Sequence, residues 1–219
     1  MCTRYVSPET AAVERAWHIG TRQPWRGAQR DVFPGYDAPF IRAERDSTAP
    51  ARELVVGQWN LIPWFAKERK LKYPTSNARS EELAAKASYK YPWARGQRCI
   101  IPAQSFYEPN WETGKHIPWT FRRRDGEPWG LGGLWNSWTD PATGEIVESF
   151  TMLTLNADHH PLMNRMHRPD PKRMPDMQDK RSVVPIEFED VDTWLYGTQA
   201  EAQTLVRLTP VEAFDANPA

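Results

Sequence analysis

The 219-residue sequence has only two cysteines, Cys2 and Cys99, and neither belongs to a CxxC pair. So low a count excludes a disulfide framework and a cysteine-built zinc or redox motif, and both residues are expected as free thiols. No apolar run approaches the roughly 18 residues of a spanning helix, and the start MCTRYVSPET lacks the basic and apolar parts of a secretory signal. The expectation is a cytoplasmic protein without membrane association. An excess of charge is also missing, because 28 Lys and Arg balance 28 Asp and Glu. A chain of zero formal charge has no general attraction for polyanions, so nucleic acid would have to be held by a local basic surface. GxxxxGKS/T, HExxH, GxSxG and a helix-opening GxGxxG are all absent. The usual nucleotide, metalloprotease and hydrolase readings lose their basis, and no cofactor or metal is expected.

Local basic surfaces are available. Arg122, Arg123 and Arg124 are consecutive, and Arg165, Arg168, Lys172, Arg173, Lys180 and Arg181 outnumber Asp170, Asp176 and Asp179 in one stretch. The plain alternative for such a run is a solvated face.

Periodicity and turn signals suggest mainly strands. Cys2 to Val6 reads as a short strand, and a helix capped by Ser7 runs to about Ile19. An irregular loop follows from Thr21 to Ala38, and PFIRAER and ELVVGQW look like paired strands. Residues 62 to 79 read as an ordered loop, and SEELAAKASY as a strong helix capped by Ser80. RCIIPA, WTFRRR, WGLGGLW and VESFTMLTL are strand candidates between turns such as Asp125-Gly126 and Thr143-Gly144. Asn156 to Asp179 is a long loop of the kind usually functional or disordered. SVVPI is a further strand, FEDVDTWLY a helix, and the residues after Gln199 a second helix. The expected fold is α+β, a mainly antiparallel, barrel-like β core with peripheral helices, in one domain over residues 1 to 219.

The chemistry-bearing feature is the cysteine directly after Met1. A small second residue favours removal of the initiator methionine, which would leave Cys2 with two nucleophiles. An α-amine titrates near about 7.7–8.0 and a thiol near about 8.5, so both have usable reactive fractions at neutral pH. Their natural target is an aldehyde. The amine condenses to an imine, the thiol adds to the same carbon, and a five-membered thiazolidine closes in an intramolecular step. By position alone, a chance cysteine at a disordered start is the plainer explanation of Cys2.

Motifs spread along the chain add to this reading: MCTR at 1–4, WNLIP at 59–63, NARSE at 77–81, RCIIPAQSFYE at 98–108, GGLW at 132–135, TLNA at 154–157, NRM at 164–166, and VVPI before a helix with Trp194-Leu195. In this order and spacing the sequence resembles the SOS response-associated peptidase (SRAP) family of abasic-site processing proteins, over about residues 1 to 197. The resemblance implies a SRAP-like fold and a covalent link between Cys2 and the ring-opened sugar of an abasic site in single-stranded DNA. It assigns Asn77 and Glu108 to the same active site, where an amide can hold an amine or sugar hydroxyl and a carboxylate can relay protons. The plain alternatives are a helix cap for Asn77 and a solvated strand end for Glu108. Arg79 and Arg4 are implied phosphate contacts, with an ion pair to Glu82 as the alternative for Arg79. Trp64 is the first choice for base stacking, its alternative being a core aromatic. Arg165 and Arg168 complete the expected DNA-binding set.

Several positions depart from the family pattern: Thr3 stands where Gly is common, Pro109 where an aromatic often follows the glutamate, and Trp64-Phe65 where one residue precedes Trp. The largest departure concerns the family's His, one residue, then Arg-Met-Pro, because Met163-Asn164-Arg165-Met166-His167 puts Met163 in the histidine's place. A thioether relays no protons. His160 and His167 are therefore the catalytic candidates, with His167 preferred beside Arg165 and Arg168. Cys99, within an apolar strand, is expected as a buried structural thiol. The implied activity is covalent capture of abasic sites in the DNA damage response, with possible lyase chemistry and no obligate protein partner. Two alternatives compete: a thiol peptidase acting mainly on its own Met1, and a non-catalytic single-stranded DNA binder that does not need Cys2.

Overall fold

The computed structural model describes residues 1–20, 30–45, 47 and 50–219. Most of the loop expected between Thr21 and Ala38 lies outside the described residues. The chain runs β1 (Tyr5–Val6), α1 (Thr10–Trp17), β2 (Asp31–Val32), β3 (Asp37–Ala43), β4 (Arg52–Trp59) and β5 (Asn77–Arg79). It continues with α2 (Lys90–Ala94), β6 (Arg98–Ala103), β7 (Ser105–Asn110), β8 (Ile117–Arg123), β9 (Trp129–Thr139) and β10 (Ile146–Asn156). The last elements are β11 (Arg181–Val183), α3 (Val191–Tyr196), α4 (Gln199–Thr204) and β12 (Phe214–Pro218). Among the described residues, no helix is long and apolar enough to cross a membrane.

Five of the strands close on themselves, with β9 pairing β10 and β6, β6 pairing β3, β3 pairing β4, and β4 returning to β10. Closure removes the free edges that a flat sheet would expose. Among these five strands all contacts are antiparallel except β4 against β10, which lasts only for Ser149↔Gln58 and Phe150↔Trp59. Beyond it β5 takes the place beside β10, from Met152↔Asn77 to Thr154↔Arg79. A second, wholly antiparallel sheet runs in the order β12-β8-β7-β1-β2. This is the α+β, barrel-like architecture expected from the sequence.

Close approach at the barrel seam explains the glycines of WGLGGLW. A Cβ on Gly133 would lie 2.5 Å from the Thr151 carbonyl oxygen and 2.9 Å from Cys99 Sγ, and neither backbone nor buried thiol can yield. Gly133→Ala is expected to cost about 1–3 kcal/mol of stability, read as a lower urea midpoint at unchanged slope.

The main core lies between barrel and sheet and contains Tyr5, Phe106, Phe121, Trp129 and Phe214 with both cysteines. Phe106 stacks on Phe121 at 5.0 Å between ring centroids and 5° between planes. Cys99 is wholly buried there, as its apolar strand implies. A second apolar cluster places Trp17, Trp93 and Trp194 of the three helices α1, α2 and α3 against the outside of the barrel.

Two expected helices differ. SEELAAKASY forms only one 3-10 turn, Ser80–Glu82, and α2 does not begin until Lys90. Glu81 instead turns to hold Arg181 at 2.7 Å, and the Tyr89 hydroxyl donates to the Asn77 carbonyl at 3.3 Å. Tertiary partners here outweigh good helix propensity. Ser80 is buried without capping, and α1 starts at Thr10 with Glu9 before it rather than at Ser7. α4 does carry a full capping box between Thr198 and Glu201.

Candidate active site

The site forms where the segment RCIIPAQSFYE leaves the barrel. β6 becomes β7 across the single residue Gln104, whose amide donates to the Val6 carbonyl at 2.8 Å, so one segment serves both sheets. Strand alternation then turns Phe106, Glu108 and Asn110 inward, and Glu108 is only 2% exposed. β1 lies against β7 with Tyr5 opposite Phe106. The start of the chain is thereby drawn over Glu108.

Asn77 arrives from β5 at the barrel's open end and donates from Nδ2 to the Cys2 carbonyl at 2.7 Å. Its Oδ1 is buried without a hydrogen-bond partner among the described residues. The side chain grips the main chain of Cys2 rather than capping a helix. Cys2 itself is fully buried, and its thiol makes a 3.4 Å contact to the Arg4 carbonyl. Burial, helped by the negative charge of Glu108, pushes the thiol up to about 12.

The backbone amine of Met1 lies 2.7 Å from His167 Nε2 and 3.9 Å from Glu108 Oε2. The same imidazole nitrogen is 2.7 Å from Glu108 Oε2. Amine, imidazole and carboxylate thus meet at one point.

His167 reaches this place from the long loop after β10. Its backbone is left-handed at φ 61°, and its N–H donates to the Pro109 carbonyl at 2.6 Å, one residue from Glu108. His160 lies elsewhere: it is buried, with Nε2 2.8 Å from the Thr209 carbonyl and Nδ1 accepting from the amides of Leu162 and Met163. That hydrogen-bond set fixes a turn and points away from Cys2. Met163 is a fully buried core side chain. Counting residues along the family pattern put Met163 in the histidine's place, but in space the imidazole beside Glu108 belongs to His167.

The residues expected to contact DNA differ in their surroundings. Arg4 makes two 2.9 Å hydrogen bonds to Asp31 while its guanidinium lies 3.9 Å over the Tyr107 ring. Arg79 pairs with Asp179 and, at 3.6 Å, with Glu82. Trp64 is 63% exposed and meets Phe65 and Tyr91 edge to face, which excludes the core-aromatic alternative. Arg165 pairs with Glu112 and lies over Trp119, and Arg168 lies over Trp111. Two grooves meet at Met1, one of about 240 Å³ between Asn77, Arg79 and Tyr89, the other of about 380 Å³ past Thr3, Lys72 and Tyr73.

Sequence reasoning misjudged part of the basic run. Lys180 and Arg181 are 7% and 5% exposed, so they are interior rather than surface residues. Arg181 is satisfied by Glu81, Asp179 and the Thr154 carbonyl, partners from distant segments that no local pattern announces. Tyr107, under Arg4, was visible only as part of the FYE motif. Among the described residues no three His, Cys, Asp or Glu side chains are grouped to hold a metal ion.

The abasic site processing protein HMCES of Xenopus tropicalis is 28% identical over 226 residues, covering 89% of this chain and 64% of that protein. The abasic site processing protein YoqW of Bacillus subtilis (strain 168) is 33% identical over 129 residues, covering 58% of this chain and 56% of that protein. The chain thus spans between about half and two thirds of the length of these curated relatives. Among solved structures, a protein from Bordetella bronchiseptica superposes with a TM-score of 0.85 at 32% identity, covering 100% of this chain and 99% of its own. One from Bacteroides thetaiotaomicron has a TM-score of 0.80 at 22% identity, over 99% and 91% of the two chains, which speaks for the fold alone. The sequence pattern of the SOS response associated peptidase (SRAP) family matches residues 1–218, and this chain belongs to that family.

Proposed function

We propose that this protein processes abasic sites in single-stranded DNA, capturing them covalently through Cys2 once Met1 has been removed. The observation that carries the reading is that the Met1 amine, one residue from the amine that Cys2 would expose, meets His167 and Glu108 while Asn77 holds the Cys2 carbonyl. Met1 lines both grooves that lead to this point, so its loss opens space for a sugar next to the new terminus.

In the reaction the Cys2 amine adds to the C1′ aldehyde of the ring-opened deoxyribose, and the carbinolamine loses water as the His167–Glu108 pair delivers a proton. The thiol then adds to the imine carbon, and its proton passes to the imine nitrogen. One water leaves overall and a thiazolidine remains. The same imine would permit proton removal at C2′, which is the route to lyase activity. Asn77 Oδ1, buried and unpartnered, is the natural acceptor for an amine proton or sugar hydroxyl.

Trp64 offers an open π face for a neighbouring base, and Arg79 lies at the rim for a phosphate. Trp64→Ala is expected to weaken binding of a single-stranded oligonucleotide by about 1–3 kcal/mol, measured by fluorescence anisotropy at fixed salt. A peptidase role has less support, because among the described residues no histidine is hydrogen-bonded to the Cys2 thiol, whose contact is with the Arg4 carbonyl. The direct test is intact mass spectrometry after mixing the protein with an oligonucleotide bearing one abasic site. A stable adduct mapped to Cys2 is expected, and its absence from protein lacking Met1 would end this reading.

A further inference from the structure

Lys180 is a buried lysine. Its residue is 7% exposed, and among the described residues no carboxylate lies within salt-bridge distance of its Nζ. Instead the ammonium donates to two adjacent backbone carbonyls, Met166 at 2.6 Å and His167 at 2.5 Å. Burial lowers its pKa, and the charge of Asp158 partly restores it. Taking an ammonium out of water is costly, and two carbonyls repay that cost only in part. A charge placed this way is best explained by what it holds.

What it holds is the peptide that carries His167. A histidine at φ 61° sits in the sparsely populated left-handed region and stays there only if its surroundings impose it. The imposition comes from two sides. The His167 N–H is fixed by the Pro109 carbonyl, and its own carbonyl by Lys180 Nζ. Lys180 is itself immobilised, because its amide donates to Asp158 Oδ1 at 2.7 Å and its carbonyl accepts from Ala157 at 2.7 Å. Asp158 also accepts from the Asp179 amide at 3.0 Å. The loop between His167 and Lys180 is thereby pinched at its base, with left-handed residues at His167 and Asp179 near its two ends.

We infer that Lys180 is a positioning residue for His167: its ammonium clamps the Met166 and His167 carbonyls and so fixes the imidazole against Glu108 and the N-terminal amine. The inference rests on the proposed capture reaction. Lys180 takes no part in the chemistry, since two of its three donors are engaged by the two carbonyls and it lines neither groove at Met1. Its role also accounts for a histidine that lies four residues beyond the place the family pattern indicates.

The test compares single-turnover cross-linking to an abasic oligonucleotide, over a range of DNA concentrations, for wild type, Lys180→Met, His167→Ala and the double variant. Loss of the clamp is expected to lower the maximal rate about tenfold or more, because small misplacement of a catalytic group is expensive. The half-saturating DNA concentration should stay where it is. In the His167→Ala background, adding Lys180→Met should change the rate less than about twofold, the signature of two residues acting through one step. Lys180→Gln, which keeps one donating amide, should fall between wild type and Lys180→Met, and it is read by the same criteria if the methionine variant does not fold. A wild-type maximal rate in the Lys180 variants, or an equal proportional loss with and without His167, overturns the inference. No adduct in wild type, or a wild-type rate in His167→Ala, overturns the capture reading or the histidine's part in it, a result distinct from failure of Lys180 alone.

Discussion

Cys2→Ala is expected to abolish the covalent adduct with abasic DNA while leaving non-covalent binding of an undamaged single strand nearly unchanged. The substitution removes the thiol that closes the ring but not the amine. A reversible imine can still form, and borohydride should trap it. An N-terminal extension, or retention of Met1, has a different signature: the α-amine is displaced from Cys2, so neither thiazolidine nor reducible imine should map to residue 2. Intact mass with and without borohydride separates the two cases. A non-catalytic DNA binder predicts no difference among wild type, Cys2→Ala and the extended chain. Adduct formation by the extended chain at the wild-type rate would show that the amine of Cys2 is not the nucleophile.

His167→Ala is expected to slow adduct formation by about 10²-fold, the lower part of the range for a positioned acid or base, because Glu108 remains to share the proton traffic. The comparison that gives this prediction its force is His160→Ala. His160 spends both ring nitrogens on backbone groups of its own neighbourhood, so its loss should cost about 1–3 kcal/mol of stability and leave the rate of the folded protein unchanged. Rates measured well below the melting temperature of both variants keep the two effects apart. If His160→Ala slows the reaction and His167→Ala does not, the site is wrongly composed.

Most strands were legible because alternation and turn signals are local properties. PFIRAER and ELVVGQW pair as β3 and β4, and WGLGGLW and VESFTMLTL form the two longest strands. β7 and β12 were not singled out, since SFYEPN and FDANP mix proline, acids and amides, and only cross-strand hydrogen bonds make them strands. SEELAAKASY failed in the opposite direction. Its helix-forming residues are drawn into contacts with Arg181 and Asn77, which lie far from one another in sequence. Secondary structure was lost wherever a long-range partner competed with a local preference.

The sequence by itself determined the barrel-like class, the family, and the nomination of Cys2, Asn77 and Glu108, because each sits in a short motif whose residue types state their chemistry. Only the tertiary structure decided which histidine stands beside Glu108, and that Lys180 and Arg181 belong to the interior. The physical reason is the same in both cases. A left-handed turn at His167 and a buried charge at Lys180 are stabilised by Pro109, Met166 and Asp158, partners supplied by the folded chain and not by the spacing of residues along it.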